Sequence, residues 1–116
     1  ATNLTPHYWM SNMNNQTKEI LCIAQEECAE VSQSISKIFR FGFESKHPKT
    51  GIDNKQHLEE EVGDLLAMID ILVEKCIISD SNLNQARKAK REKLKQWSSI
   101  QGLWPTKKYY TITIEW

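Results

Sequence analysis

The sequence has no uninterrupted apolar run long enough to span a bilayer. Its longest, residues 65–78, is broken by Asp70, Glu74 and Lys75, whereas a spanning helix needs about 20 apolar residues. It also has no net charge: fifteen Lys plus Arg stand against fifteen Asp plus Glu, which excludes a generically basic nucleic-acid binder and an acidic tail. Cysteine is scarce. Cys22, Cys28 and Cys76 are odd in number, have no C-x-x-C spacing and fall within apolar helical patterns, so they read as small buried hydrophobes in a reducing compartment. No basic region followed by an apolar run opens the chain, so no secretory signal is expected and the protein reads as soluble and cytoplasmic. Internal repeats and low-complexity segments are absent, and 116 residues suit a single domain, 1–116.

What is present is charge segregation. Glu26, Glu27, Glu30, Glu59, Glu60, Glu61 and Asp64 hold seven of the fifteen acids, while Arg87, Lys88, Lys90, Arg91, Lys93 and Lys95 hold six of the fifteen bases. Helical periodicity organises both groups. After an irregular lead-in, 1–16, with the aromatic pair Tyr8 and Trp9, an apolar stripe of Leu21, Ala24, Cys28, Val31, Ile35 and Ile38 predicts a helix from about Thr17 to Phe39, stopped by Gly42. A loop of about a dozen residues follows. Asp53 and Gln56 form a capping-box pattern for a second helix, about 54–78, whose stripe is Leu58, Val62, Leu65, Ile69, Leu72 and Cys76. Asp80 or Ser81 caps a third helix with Leu83, Ala86, Leu94 and Trp97 as its buried edge, ending before Gly102. The helical core thus spans about 17–98. Residues 107–116 alternate in polarity and predict a strand that needs a pairing partner, either the N-terminal segment or another subunit.

The acids repeat one relation to these stripes. Glu27 and Glu30 each precede a stripe residue, as do Glu61 and Asp64. If the two helices pack antiparallel, four carboxylates converge at the edge of the seam. Such a cluster persists if its members take up protons, if bases neutralise them, or if divalent cations bind. Oxygen-only donors favour Mg²⁺ first and Mn²⁺ second. Gly63 removes a side chain where a ligand or backbone would come close, and His57 reads as a surface residue. A solvated acidic face is the competing reading.

The pattern E-E-x-x-E followed by E-x-x-D, in the form QEECAEV and LEEEVGDLLAMI, resembles the MazG-like branch of the all-α nucleoside triphosphate pyrophosphohydrolases over roughly residues 18–98. The segment KIFRFGFESKHP resembles the small bacteriophage members, including those acting on guanine nucleotides. The resemblance implies an all-α bundle shared between subunits of a dimer or tetramer, with the short C-terminal strand added, in the cytoplasm (the host's, for a phage protein). It implies that Glu27, Glu30, Glu61 and Asp64 hold Mg²⁺, with Mn²⁺ as substitute, and that Glu26 orients or deprotonates the attacking water. The reaction implied is hydrolysis of (deoxy)nucleoside triphosphates, dGTP and GTP first, between the α and β phosphates.

Phosphate contacts would then come from Lys37, Arg40, Arg87, Lys90, Arg91 and Lys93. The family's Asn with a following Lys has its nearest counterpart in Arg91 with Lys93. Trp9, Tyr8, Phe39, Phe41 and Phe43 are the aromatics available to a base. Three other readings compete. A di-iron carboxylate bundle requires Glu-x-x-His pairs, and neither Glu30 nor Glu61 has His three positions on. A non-catalytic helical interaction or regulatory module explains the amphipathic helices but not the matched acids. Nucleic-acid binding through residues 87–95 predicts salt-sensitive affinity indifferent to the carboxylates.

Overall fold

The structure, a computed structural model, describes residues 13–103. It contains three α-helices: α1, Asn15–Phe41; α2, Asn54–Glu74; and α3, Asp80–Trp97. Among the described residues there is no strand beyond one isolated antiparallel bridge, Lys46 with Asp53, so this part of the chain is all-helical. The chain divides into two compact units, Ala1–Leu72 and Val73–Trp116. No described helix is long and apolar enough to cross a membrane. The predicted strand at 107–116, and the aromatics Tyr8 and Trp9 of the lead-in, lie outside the described residues.

Each helix boundary has a local chemical cause. The Asn14 side chain accepts from the Thr17 N–H at 2.7 Å, which satisfies one of the unpaired donors of the first turn of α1. Gly42 closes the helix with φ 87° and ψ 167°, and its N–H donates to Ile38 O. That combination of angles is essentially restricted to glycine. The helix therefore outruns its expected bounds, about Thr17 to Phe39, by two residues at each end.

The connecting segment 42–53 is an ordered turn. His47 N–H donates to Ile52 O and Gly51 N–H to His47 O, both at 2.9 Å. The His47 ring accepts from Lys49 N–H at 3.1 Å. The Asn54 side-chain amide donates to Gly42 O at 2.9 Å, clamping the end of α1 to the start of α2. Asp53 caps α2 as expected, its Oδ1 accepting from Gln56 N–H at 2.8 Å.

Helix α2 stops at Glu74, short of the expected residue 78, because Cys76 takes a left-handed backbone with φ 57°. The N-cap of α3 is Ser79, not Asp80 or Ser81; its hydroxyl accepts from Asn82 N–H at 3.2 Å.

Packing departs from the stripes in a regular way. The sheltered positions of α1 are Thr17, Ile20, Ala24, Glu27, Val31, Ser34 and Ile38, with Lys18 beside them. This line shares Ala24, Val31 and Ile38 with the expected stripe, but substitutes Ile20, Glu27 and Ser34 for Leu21, Cys28 and Ile35, which are exposed. On α2 the sheltered set includes His57, Leu58, Glu61, Leu65 and Met68, while Val62 of the expected stripe is exposed. On α1 the contact line is rotated by one residue towards the acids; on α2 Leu58, Leu65, Ile69 and Leu72 of the expected stripe stay sheltered, and His57, Glu61 and Met68 join them. The two helices run antiparallel, since Ser34 meets His57 while Glu27 meets Glu61 and Asp64.

Among the described residues, Ile20 and Met68 are the buried apolar ones, and Ser34 is the most buried side chain at 1% exposure. All three cysteines are exposed, contrary to expectation: Cys22 and Cys28 lie on the face of α1 turned from α2, and Cys76 lies in the turn after it. In α3, Leu83, Arg87, Arg91 and Leu94 are half-buried, whereas Ala86 is exposed and Trp97 is 80% exposed. Arginine stems, which have an apolar body and a charged tip, thus replace part of the expected edge.

Two glycines should respond oppositely to alanine. Gly42→Ala puts a side chain at φ 87° and is expected to cost about 1–3 kcal/mol. Gly63→Ala adds a Cβ that meets nothing within 4 Å among the described residues and is expected to stabilise α2 by roughly 0.5–1 kcal/mol. Urea unfolding midpoints measure both, and a stable Gly42→Ala with a weakened Gly63→Ala would contradict the assignment.

Candidate metal centre

The rotated contact line of α1 and the widened sheltered face of α2 take Glu27 and Glu61 onto the seam between the two helices. Asp64 lies one turn after Glu61, on the same face of α2. Oxygen atoms of Glu27, Glu61 and Asp64 all lie within 4.8 Å of one another. Glu27 and Glu61 are half-buried and Asp64 is exposed, so the cluster opens to solvent on one side. These are three of the four carboxylates expected as metal ligands. The fourth, Glu30, is an exposed residue on the next turn of α1 and is not among the three. Gly63 faces open space, so nothing among the described residues approaches it closely.

Glu27 is the centre of the electrostatics. Among the described residues its Oε2 is buried without a hydrogen-bond partner. Burial, followed by repulsion from Asp64, Glu61, Glu30 and Glu26, holds its carboxyl above the ordinary value of 4.5. Glu26, expected to act on water, is exposed beside Glu27, and its charge contributes to that repulsion. A buried acceptor with no donor, among acids that repel it, fits a hard divalent cation, and an all-carboxylate donor set fits Mg²⁺ or Mn²⁺ better than zinc.

His57, expected at the surface, belongs to the site. It is half-buried, with Nδ1 3.2 Å from the Ser34 hydroxyl and Nε2 3.2 Å from Glu61 Oε1. Its spacing of four from Glu61 is the available sequence signal, since residues four apart share a helix face.

The expected phosphate contacts fall in several places. Lys37 lines a cavity of about 210 Å³ together with His47, Thr50, Ile52, Asn54 and His57, in the same unit as the carboxylates. Arg40 lies over the Phe41 ring, 4.9 Å from its centroid. On α3, in the second unit, Arg87 donates to Asn84 Oδ1 at 3.1 Å, Arg91 is half-buried, and Lys90 and Lys93 are exposed. Phe39, Phe41 and Phe43 are exposed.

Compared with protein-family models, curated proteins and solved structures, the chain matches none. The case for function therefore rests on the site.

The raised Glu27 pKa fixes the sign of a pH effect. Neutral Glu27 suits the cation-free fold, so its contribution is fully present below 4.5 and is lost as pH rises through the higher folded value. In chelator, Glu27→Gln is expected to melt above wild type at pH 7, with the gap closing as pH falls through the raised folded value and gone below 4.5. Superimposable melting curves at every pH would show that Glu27 feels no such penalty.

Proposed function

We propose that this chain is a MazG-like nucleoside triphosphate pyrophosphohydrolase, cleaving (deoxy)nucleoside triphosphates between the α and β phosphates. The observation that carries the reading is the convergence of Glu27, Glu61 and Asp64, with an orphaned buried oxygen on Glu27. Glu27, Glu61 and Asp64 hold the ion, and Glu30 joins them from the following turn. Bound Mg²⁺ supplies charge neutralisation on phosphate oxygens and a water of lowered pKa. Glu26 orients the attacking water and accepts its proton. The water oxygen bonds to the α phosphorus as the α–β bridging bond breaks, giving a nucleoside monophosphate and pyrophosphate. Lys37 and Arg40, in the same unit as the carboxylates, are the cations this proposal assigns to the triphosphate and its leaving group. Guanine nucleotides are the first substrates to test, on the resemblance of the segment 37–48.

The working unit in this proposal is an oligomer. Leu21, Ile35, Val62 and Leu66 are all at least 36% exposed in one chain, a row of apolar side chains that a second α1–α2 pair would cover to complete a four-helix core. In this proposal the protein works in the cytoplasm. A non-catalytic interaction module would use the same apolar row, but leaves the carboxylate cluster without a role.

Two measurements test this. Mg²⁺-dependent release of pyrophosphate, not orthophosphate, is expected from at least one of the eight common triphosphates. Asp64→Asn and Glu61→Gln are expected to lower it by more than about 100-fold, the scale seen when one charge-stabilising group is removed. Pyrophosphate release unaffected by either substitution would refute the site. Sedimentation is expected to show a dimer or tetramer that Leu21→Glu with Ile35→Glu dissociates; a monomeric wild type would remove the shared core.

A further inference from the structure

Ser34, His57 and Glu61 form a chain of contacts that leads from the most buried point of the seam to the carboxylate cluster. Ser34 is 1% exposed. Its one hydroxyl proton lies within reach of Glu30 O, one turn back on α1, at 3.0 Å, and of His57 Nδ1, which is the acceptor when Nε2 carries the ring proton towards Glu61. The same hydroxyl oxygen lies 3.2 Å from His57 Nδ1, and the opposite ring nitrogen, Nε2, lies 3.2 Å from Glu61 Oε1. Both nitrogens are thus engaged, one by each helix, and the ring cannot turn about its Cβ–Cγ bond without losing both contacts.

We infer that His57 is a positioning residue that sets the orientation of the Glu61 carboxylate for a divalent cation, with Ser34 as its anchor. This rests on reading Glu27, Glu61 and Asp64 as the cation site. A glutamate side chain alone has three rotatable bonds and would swing away from two acidic neighbours that repel it. Holding Oε1 on the imidazole fixes the carboxylate plane, and so the direction of the second oxygen. A carboxylate ligand held by an outer hydrogen bond loses less entropy on binding, and loss of such a partner typically weakens metal affinity about 10–100-fold. Ser34 makes the hold stiff: without it the ring keeps its contact with Glu61 but can rotate on its own helix. The arrangement also couples the seam to the site, since α1 supplies the anchor and α2 the ligand.

The test is calorimetric titration of Mn²⁺ alone into the full-length protein, with the folded fraction of each variant followed by circular dichroism. His57→Phe keeps a ring and removes both hydrogen bonds; it is expected to lose about 10–100-fold in Mn²⁺ affinity. His57→Gln restores a donor within reach of Glu61 and is expected to recover most of that loss. Ser34→Ala leaves Glu61 untouched and is expected to bind with an affinity between those of His57→Phe and wild type. A packing role would change melting temperature while leaving affinity per folded molecule alone, and Gln would not rescue it. Wild-type affinity in folded His57→Phe overturns this inference and leaves the cation site standing. Absence of Mn²⁺ binding by the wild type overturns the cation site and this inference with it. If His57→Phe does not fold, His57→Gln and Ser34→Ala decide: the inference fails if Ser34→Ala binds Mn²⁺ as tightly as wild type, or if His57→Gln binds with no more than about a hundredth of wild-type affinity.

Discussion

Everything in the helical hairpin depends on a seam that carries ionisable and polar groups where hydrocarbon would be expected. Glu27, Ser34, His57 and Glu61 lie along the contact between α1 and α2, and the adjoining apolar contacts are few. Such a seam opposes its own formation: carboxylates brought within 4.8 Å repel, and an acceptor removed from water without a partner forfeits its hydration. The hairpin offsets this through its ends. The capped start of α1 and the Asp53 cap satisfy helix ends, and the glycine stop at residue 42 with the Asn54 clamp joins the end of α1 to the start of α2. Strain sits at the cluster and rigidity sits in the turn, which is the distribution expected where a site must be preorganised for a cation.

The turn and the caps are legible from sequence because their chemistry is local. Gly42 and Asp53 act on backbone groups within four positions, so spacing identifies them, whereas the Asn14 cap falls within the expected irregular lead-in and the α3 cap falls at Ser79, ahead of the expected Asp80 or Ser81. Glu27, Glu61 and Asp64 are also legible as a converging set, through their common placement beside two stripes. The angular position of the seam is not. On α1 the lines through Ile20 and through Leu21 share Ala24, Val31 and Ile38, and differ in having Glu27 and Ser34, or Cys28 and Ile35. Hydrophobicity favours the second line, and periodicity cannot reject it. The helix has an apolar arc broad enough for two neighbours, and α2 takes the more polar edge. His57 and Ser34 escape a sequence reading for the same reason: on the expected stripe they sit outside the contact, on the observed one they are its polar centre.

The same rotation explains why the cysteines and several large aliphatic side chains are exposed. A hairpin that buries its polar edge leaves Leu21, Cys28 and Ile35 facing outward, and on α2 Val62 and Leu66 do likewise. Single exposed apolar residues are ordinary on a monomer, but a row at helical spacing on both helices is the pattern of an uncompleted core. The sequence distributes its hydrophobic and acidic residues between two faces with different tasks. Apolar side chains lie partly exposed on one face of the hairpin and acids line the contact between its helices, a division that the proposed shared core would use.

That division constrains how the cluster can evolve or be altered. Replacing Glu27 or Glu61 by a hydrophobe would improve the hairpin as a hairpin, since each removes repulsion and desolvation from the seam. The acids therefore cannot be explained by the stability of the fold they occupy, and a solvated acidic face does not explain them either, because Glu27 Oε2 is shut away from water. In the proposed cation site this repulsion becomes an advantage: Glu27, already desolvated, and Glu61, already held by His57, would cost the cation less to gather. The unfavourable seam and the capacity to hold a hard ion are one property of the same three side chains, and the imidazole of His57 lies where it can turn a flexible repulsive group into a directed one.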